Sequence, residues 1–223
     1  LYFRLCVIVA GPGMGKTTLL KKLFRVYNSQ NRPSIIIRLP LLVARMNQTG
    51  AGFEECIFSL GLDTAGITAK EAIDAKFKGG VLLFDGLDEC GHHQESICQS
   101  ILNYTSNLTS IRVIITTRPV GYQTTLLKKW RHYEILPLEE QQAQNNIELL
   151  ICNLYVNEQE KLEKTRKFLK SELEKSKYSK AIIRNPLLMG LTVSLATQEI
   201  SLGKTKTELY KSLFELIVGS PSD

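Results

Sequence analysis

A glycine-rich loop near the start of the chain constrains its fold more than any other feature. The loop follows an apolar run at residues 5–9 and precedes a segment with helical periodicity. Closely spaced glycines let the backbone turn tightly and direct its N–H groups at an anion. The loop residues are Ala10, Gly11, Pro12, Gly13, Met14, Gly15, Lys16, Thr17 and Thr18. A strand, such a turn and a helix in this order predict a phosphate-binding (Walker A) loop.

This loop offers three kinds of contact to a bound nucleotide, and we expect residues 11–18 to make them. Backbone N–H groups and the positive end of the following helix dipole attract a polyphosphate. Lys16 is placed to reach the β and γ oxygens, and the Thr17 hydroxyl to bind Mg²⁺. Ala10 stands where the motif usually has glycine. The alternative is a glycine-rich turn that binds nothing, and the flanking strand and helix disfavour it.

An acidic segment follows the apolar run at residues 81–84. Such a run is typical of a strand buried on both faces, and it places Asp85 at the strand's carboxyl end, next to the phosphate loop. Asp85 is therefore predicted to bind the same Mg²⁺ as Thr17. Asp88 and Glu89 follow, and either carboxylate is a candidate general base for an attacking water. The alternatives for this pair are an exposed acidic turn or a helix cap.

Arg118 follows another predicted strand, at residues 111–116, so we expect it at the same edge of the sheet. A guanidinium group there can contact the γ-phosphate and sense its presence electrostatically. The alternative is a structural ion pair with an acid of the segment after Asp85. A cation at this edge requires an anionic partner in either case.

Alternating strands and helices predict an α/β fold with a doubly wound, mostly parallel five-stranded sheet. The predicted strands are 5–10, 34–39, 81–84, 111–116 and 132–136. The predicted helices are 16–28, 41–60 (split near 49–52), 68–76 and 94–106. Thr68 and Glu71 form the capping box expected for the third of these.

The pattern changes after Pro137, where only helices are predicted. They cover residues 139–152, 158–176, 185–198 and 204–218. We therefore predict a nucleotide-binding domain at 1–137, a small helical domain at 138–218 and a linker-like tail at 219–223. The chain starts at Leu1 without a signal peptide, and we expect it to be part of a longer protein.

Composition excludes several other classes of protein. With 43% hydrophobic residues the chain can form a core, but it has no apolar stretch long enough to cross a membrane. The net charge of +6 comes from small basic groups interleaved with acids, so nucleic-acid binding is not predicted. The cysteines form no C-x-x-C pair, which is typical of reduced thiols in a cytoplasmic protein. Cys90, His92 and His93 lack a second pair of ligands, so a polar loop is favoured over a zinc site.

The three motifs together resemble the NACHT domain, a branch of the STAND-class P-loop NTPases. The matching segments are residues 11–18, 84–89 and 116–119. The run Asp-Gly-Leu-Asp-Glu at 85–89 is the most specific of them. Residues 135–138, 184–188 and 208–210 resemble the family's first helical domain, the last as in bacterial-type members. The resemblance implies that Pro186 contacts the nucleotide base, while Asn185 as a helix N-cap would explain this proline equally well.

The resemblance implies a switch driven by ATP or GTP, which holds ADP when closed and ATP when open, with Mg²⁺ as cofactor. Family members hydrolyse ATP weakly, self-associate on opening, and act in innate immunity or antiviral defence. Their winged-helix, sensor and effector domains are expected outside this chain. The alternatives are a nucleotide-gated scaffold that does not hydrolyse and an AAA-type remodelling ATPase. A G protein is disfavoured because no N-K-x-D motif is present, and this absence also favours adenine over guanine.

Overall fold

A computed structural model of the chain describes residues 4–65, 79–106, 108, 110–122, 125–175 and 177–218. The helix predicted at 68–76 and the tail at 219–223 lie outside these residues. The chain divides into two units, Leu1–Ile135 and Leu136–Asp223.

The first unit contains a five-stranded sheet in which every strand pairing is parallel. Its strands lie in the order β2-β3-β4-β1-β5. Their bounds are β1 Leu5–Val9, β2 Ser34–Arg38, β3 Val81–Asp85, β4 Arg112–Thr117 and β5 Arg131–Glu134. Because parallel strands share one direction, their carboxyl ends meet at one edge of the sheet.

Helices connect these strands in the first unit. They are α1 Lys16–Ser29, α2 Leu39–Thr49, α3 Phe53–Ala65 and α4 Gln94–Ser106, with a 3₁₀ segment at Leu87–His93. Gly50, at a φ of 66°, ends α2 in the left-handed conformation that glycine adopts without strain. The prediction that a glycine-rich segment splits 41–60 into two helices is therefore confirmed.

The inner strands β3, β4 and β1 are buried on both faces, and their residues alternate between two apolar clusters. Val7 of β1 belongs to the cluster with α2, α3 and α4, whereas Cys6 and Ile8 belong to the cluster with α1. In β3, Phe84 lies in the first cluster and Leu83 in the second. A side-chain period of two explains this alternation, and it requires helices on both faces of the sheet.

The second unit is helical among its described residues. Its helices are α5 Glu140–Leu154, α6 Gln159–Glu174, α7 Lys177–Ile182, α8 Pro186–Thr197 and α9 Lys206–Val218. Buried residues such as Ile147, Leu169 and Val193 form their common core. A capping box between Glu139 and Gln142 fixes the start of α5.

The structure confirms the predicted α/β class and the five-stranded sheet, and it adds two short elements. The 3₁₀ segment at Leu87–His93 and helix α7 have too few residues for a helical period to be visible in the sequence. On α1, Leu20 and Tyr27 are buried, whereas Leu23 and Phe24 are half-buried.

Candidate nucleotide site

The loop between β1 and α1 has the backbone geometry that its glycines permit. Gly13 and Gly15 have φ angles of 75° and 82°, a region that residues with a Cβ avoid. Gly15 is the N-cap of α1, and no side chain caps this helix. The first turn of α1 also has no acidic residue, so no carboxylate neutralises the positive end of the helix dipole. This helix start is therefore suited to an anion.

Lys16 folds back over the loop that precedes it. Its Nζ donates hydrogen bonds to the carbonyl oxygens of Ala10 at 2.9 Å and Gly11 at 3.1 Å. Burial lowers the pKa of Lys16 below its usual value of 10.5, although the Asp88 carboxylate opposes this effect. The two carbonyl groups hold the Lys16 ammonium group at the loop. A bound phosphate would replace these neutral acceptors with negatively charged oxygens.

Asp85 lies at the end of β3 and is only 7% exposed. Thr17 Oγ1 donates to its Oδ2 at 2.5 Å, and the Thr116 hydroxyl donates to its Oδ1. Thr116 is fully buried in β4, and its Oγ1 accepts a hydrogen bond from the Gly86 N–H at 3.2 Å. The Walker A threonine and the acid after β3 are thus brought together, as the sequence predicted.

Asp85 lies beside the phosphate loop although its strand, β3, is not adjacent to β1. The strand order inserts β4 between β1 and β3. Ile8 of β1 pairs with Thr116 of β4, and Phe84 of β3 pairs with Ile115. Thr117 also joins β4 to the loop, because its carbonyl accepts the Ala10 N–H at 3.1 Å.

Asp88 and Glu89 lie in the 3₁₀ segment after β3, and both contact Arg118. The Arg118 backbone N–H donates to Asp88 Oδ1 at 2.9 Å, and its Nε lies 3.3 Å from Asp88 Oδ2. A guanidinium nitrogen of Arg118 lies 3.3 Å from Glu89 Oε1. Arg38, at the end of β2, lies 3.3 Å from Glu89 Oε2. The ion pair weighed as the alternative role of Arg118 is therefore formed in this structure.

The two acids differ in exposure. The Asp88 side chain is 7% exposed, and both of its oxygens contact Arg118. The Glu89 side chain is 38% exposed and lies between two guanidinium groups, those of Arg38 and Arg118. Asp88 therefore fixes the backbone after β4 to the turn after β3, while Glu89 remains reachable from solvent.

Pro186 belongs to the second unit, where it is the first residue of α8. The Asn185 side chain caps this helix by accepting hydrogen bonds from the N–H groups of Leu187 and Leu188 at 3.0 and 3.2 Å. A proline at the first helical position after such a cap has a sufficient local reason to be there. Its predicted contact with a nucleotide base remains a prediction.

The oxygen atoms around Asp85 fit a magnesium ion. Mg²⁺ prefers hard oxygen ligands, one or two of them from protein carboxylates or hydroxyls, with the rest from water and phosphate. Thr17 Oγ1 and Asp85 Oδ2 are oxygens of this kind, and the hydrogen bond between them shows that they lie side by side. Among the ion pairs of the described residues, none involves Asp85.

Sequence reasoning gave no role to two residues of this region: Thr116, which it included only as part of the motif at 116–119, and Arg38. Both lie at the carboxyl end of a parallel strand, and that position was the available signal, because such ends line the crevice of an open α/β sheet. What the sequence lacked was the strand order that brings β4 and β2 to the two sides of Asp85.

Fold and site together define a phosphate-binding-loop NTPase: a parallel sheet with a glycine-rich loop after β1 and a buried acid at the end of β3. The NACHT domain family profile matches residues 4–151, which is more than half of the 223 residues. The chain therefore belongs to the NACHT domain family, as the sequence motifs indicated.

Solved structures of two other proteins align with this chain. Domain III of the replication initiation protein DnaA from Thermotoga maritima aligns with a TM-score of 0.51 and 14% identity, covering 99% of this chain and 86% of that one. A structure of katanin, from work on its self-assembly, aligns with a TM-score of 0.49 and 12% identity, covering 94% and 76%. At this identity the DnaA alignment is a likeness of fold alone.

Two further findings concern relatives of known function and membrane-spanning helices. No curated protein matches the chain. Within the part of the chain that the structure describes, no helix has the length and apolar character needed to cross a membrane.

Proposed function

We propose that this chain is the nucleotide-operated switch of a larger protein, which binds ATP and ADP with Mg²⁺ and hydrolyses ATP slowly. The observation that carries the proposal is the 2.5 Å contact between Thr17 Oγ1 and Asp85 Oδ2 beside a lysine held at the phosphate loop. A hydroxyl, a carboxylate and an ammonium group are the groups that a Mg²⁺–phosphate unit requires.

In this proposal residues 11–18 hold the phosphates, Lys16 neutralises the β and γ oxygens, and Thr17 and Asp85 bind Mg²⁺. The metal, when bound, withdraws charge from the β- and γ-phosphates. The chain's own residues orient the phosphates and fix the metal ligands. The base is proposed to be adenine, and Pro186 is its proposed contact.

Glu89 is the proposed general base. A base must reach a water near the γ-phosphate, and the 38% exposed Glu89 side chain is accessible to one. Asp88 is less suited because its side chain is only 7% exposed and one of its oxygens accepts the Arg118 backbone N–H. We assign Asp88 the task of positioning the backbone of Arg118.

Slow hydrolysis follows from the two cations on Glu89. Arg38 and Arg118 each lie 3.3 Å from one of its oxygens, so both guanidinium groups compete with an attacking water for Glu89. Arg118 is the proposed sensor, since a γ-phosphate competes with Glu89 and Asp88 for its guanidinium group. The same exchange then reports which nucleotide is bound.

The wider role is proposed from family membership. Exchange of ADP for ATP would favour a second arrangement of the nucleotide-binding and helical domains, expose a surface for self-association and activate a defence response. We place the protein in the cytoplasm, which the buried free thiols of Cys6, Cys56, Cys90 and Cys98 support.

Single-turnover hydrolysis of bound ATP tests this proposal. Glu89→Gln is expected to retain ATP while losing phosphate release, because the amide cannot accept the proton. Asp88→Asn is the matched variant and is expected to slow release less. No phosphate release by the unaltered protein over hours would refute hydrolysis and favour the non-hydrolysing scaffold.

The identity of the nucleotide retained through purification is the companion experiment. Mass spectrometry of the ligand released on denaturation distinguishes adenine from guanine and diphosphate from triphosphate. ADP or ATP is the expected result, and a guanine nucleotide would contradict the proposed base.

A further inference from the structure

We propose that Thr116 is a positioning residue for the metal site: its buried hydroxyl fixes the Asp85 carboxylate so that Oδ2, and not Oδ1, is presented to Mg²⁺. This inference rests on the proposed function, because it assumes that Asp85 binds the metal. Thr116 belongs to none of the phosphate-contacting groups described above, since it lies within β4 and is fully buried.

The direction of each hydrogen bond is determined by chemistry. The Gly86 N–H can only donate, so at 3.2 Å Thr116 Oγ1 is its acceptor. An ionised carboxylate can only accept, so the single hydroxyl proton of Thr116 is donated to Asp85 Oδ1. One hydroxyl group thus joins the backbone of residue 86 to the side chain of residue 85.

In this arrangement the two carboxylate oxygens of Asp85 have different partners. Oδ1 is held on the β4 side by Thr116, and Oδ2 is on the α1 side, 2.5 Å from Thr17 Oγ1. Without the Thr116 hydroxyl, Oδ1 and the Gly86 N–H lose their shared partner, and rotation about the Cβ–Cγ bond of Asp85 is less restricted. A metal ligand held by such an outer hydrogen bond binds its ion more tightly, typically by tenfold or more.

Replacement of Thr116 tests this inference in the full chain. Thr116→Val keeps the side-chain volume in the buried strand but removes the hydroxyl. ADP binding is measured by calorimetry across a series of MgCl₂ concentrations and in EDTA. We expect Thr116→Val to raise the Mg²⁺ concentration at half-maximal enhancement about tenfold, while ADP affinity in EDTA stays within about twofold.

Three variants serve as controls. Thr117→Val removes the hydroxyl of the next residue in the same strand, which is also fully buried but bonds to the Arg118 carbonyl. It is expected to leave the Mg²⁺ midpoint unchanged. Thr116→Ser and Thr116→Ala both remove the methyl group and differ only in the hydroxyl, so only Ser should keep the normal midpoint. This pair replaces Thr116→Val if thermal unfolding shows that the valine variant does not fold.

Two results would overturn the inference. One is an equal Mg²⁺ midpoint in Thr116→Val and Thr117→Val, or in the Ser and Ala variants. The other is a loss of ADP affinity in EDTA as large as the loss in Mg²⁺, which indicates a general structural role. If the unaltered protein binds ADP without any Mg²⁺ dependence, the proposed metal site itself fails, and that result is distinct from the other two.

Discussion

Asp85 in the sheet and Glu172 in the helical unit are both buried carboxylates, 7% and 3% exposed, but their partners differ. Glu172 accepts hydrogen bonds from Ser201 Oγ and the Leu202 N–H, both at 2.9 Å, and forms an ion pair with Lys175. Asp85 accepts from two neutral hydroxyls, and no described ion pair includes it. A buried carboxylate is costly without a compensating charge.

The difference separates a structural carboxylate from one arranged for a ligand. Glu172 has its charge partner at the C-cap of its own helix, and it fixes the segment between α8 and α9 to α6. Asp85 has neutral donors that orient it, and in our proposal its charge partner is Mg²⁺. Changes near Asp85 should therefore alter ligand binding, whereas changes at Glu172 should alter the free energy of unfolding.

The largest expected effect is that of Lys16→Ala on ATP binding. Loss of a charged donor to the phosphates removes about 3 kcal/mol, or roughly a hundredfold in affinity. Calorimetric titration with Mg·ATP measures this change. Lys22→Ala, on the exposed face of α1, is the control and should bind normally. Unchanged affinity in Lys16→Ala would refute the phosphate assignment.

Replacement of Glu172 should affect stability and not binding. Glu172→Gln removes the charge that Lys175 pairs with and weakens the bond to the Leu202 N–H, at a cost of about 2 kcal/mol in the free energy of unfolding. Urea unfolding measures the change, and Glu174→Gln, exposed on the same helix, is the control. If Glu172→Gln instead has a normal unfolding midpoint and binds ADP more weakly, Glu172 is not the structural carboxylate that we describe.

At low pH the unaltered chain should lose the extra free energy of unfolding that it has over Glu172→Gln. Burial alone raises the pKa of Glu172, but hydrogen bonds from Lys175, the Leu202 N–H and Ser201 outweigh it and lower the pKa below its usual 4.5. Because the folded pKa is below the unfolded one, ionised Glu172 stabilises the fold above pH 4.5. This contribution is lost as the pH falls through the folded pKa.

Unfolding of both proteins across that acid range measures this effect. The difference between the unaltered chain and Glu172→Gln should narrow below pH 4.5. A difference that stays constant into strong acid would show that the ionised form of Glu172 does not contribute to stability.

Asp85→Asn should reduce the Mg²⁺-dependent part of nucleotide binding by about tenfold, or 1.4 kcal/mol. The amide keeps the shape of the side chain but loses the negative charge that balances the ion. ADP affinity in EDTA should change much less. Equal losses with and without Mg²⁺ would contradict the metal role of Asp85.

The smallest expected effect is that of Arg38→Ala on stability. Arg38 is 62% exposed, and an ion pair at such a position contributes at most about 1 kcal/mol. Urea unfolding should therefore detect little change, with Arg38→Lys as the conservative control. A loss well above 1 kcal/mol would show that the contact with Glu89 stabilises the fold and is not specific to the site.

Sequence reasoning predicted the phosphate loop and Asp85 better than it predicted the residues that contact the acids of the site. The Walker A loop and Asp85 were recognisable because chemistry fixes their residue types and spacing along the chain. The roles of Thr116 and Arg38 were not recognisable. Thr116 contacts Asp85 and Arg38 contacts Glu89 from other strands, and pairing between distant strands leaves no local pattern. The choice between Asp88 and Glu89 likewise needed their exposures and partners.

The sequence by itself determined the strand–loop–helix unit, the alternation of strands and helices, and the acids after β3, since local backbone preferences and side-chain periodicity encode these features. Only the tertiary structure decided that β4 lies between β1 and β3, and hence that Thr116 holds one oxygen of Asp85 while Thr17 contacts the other. The physical reason is that strand order depends on how helices cover both faces of the sheet, a property of the whole fold.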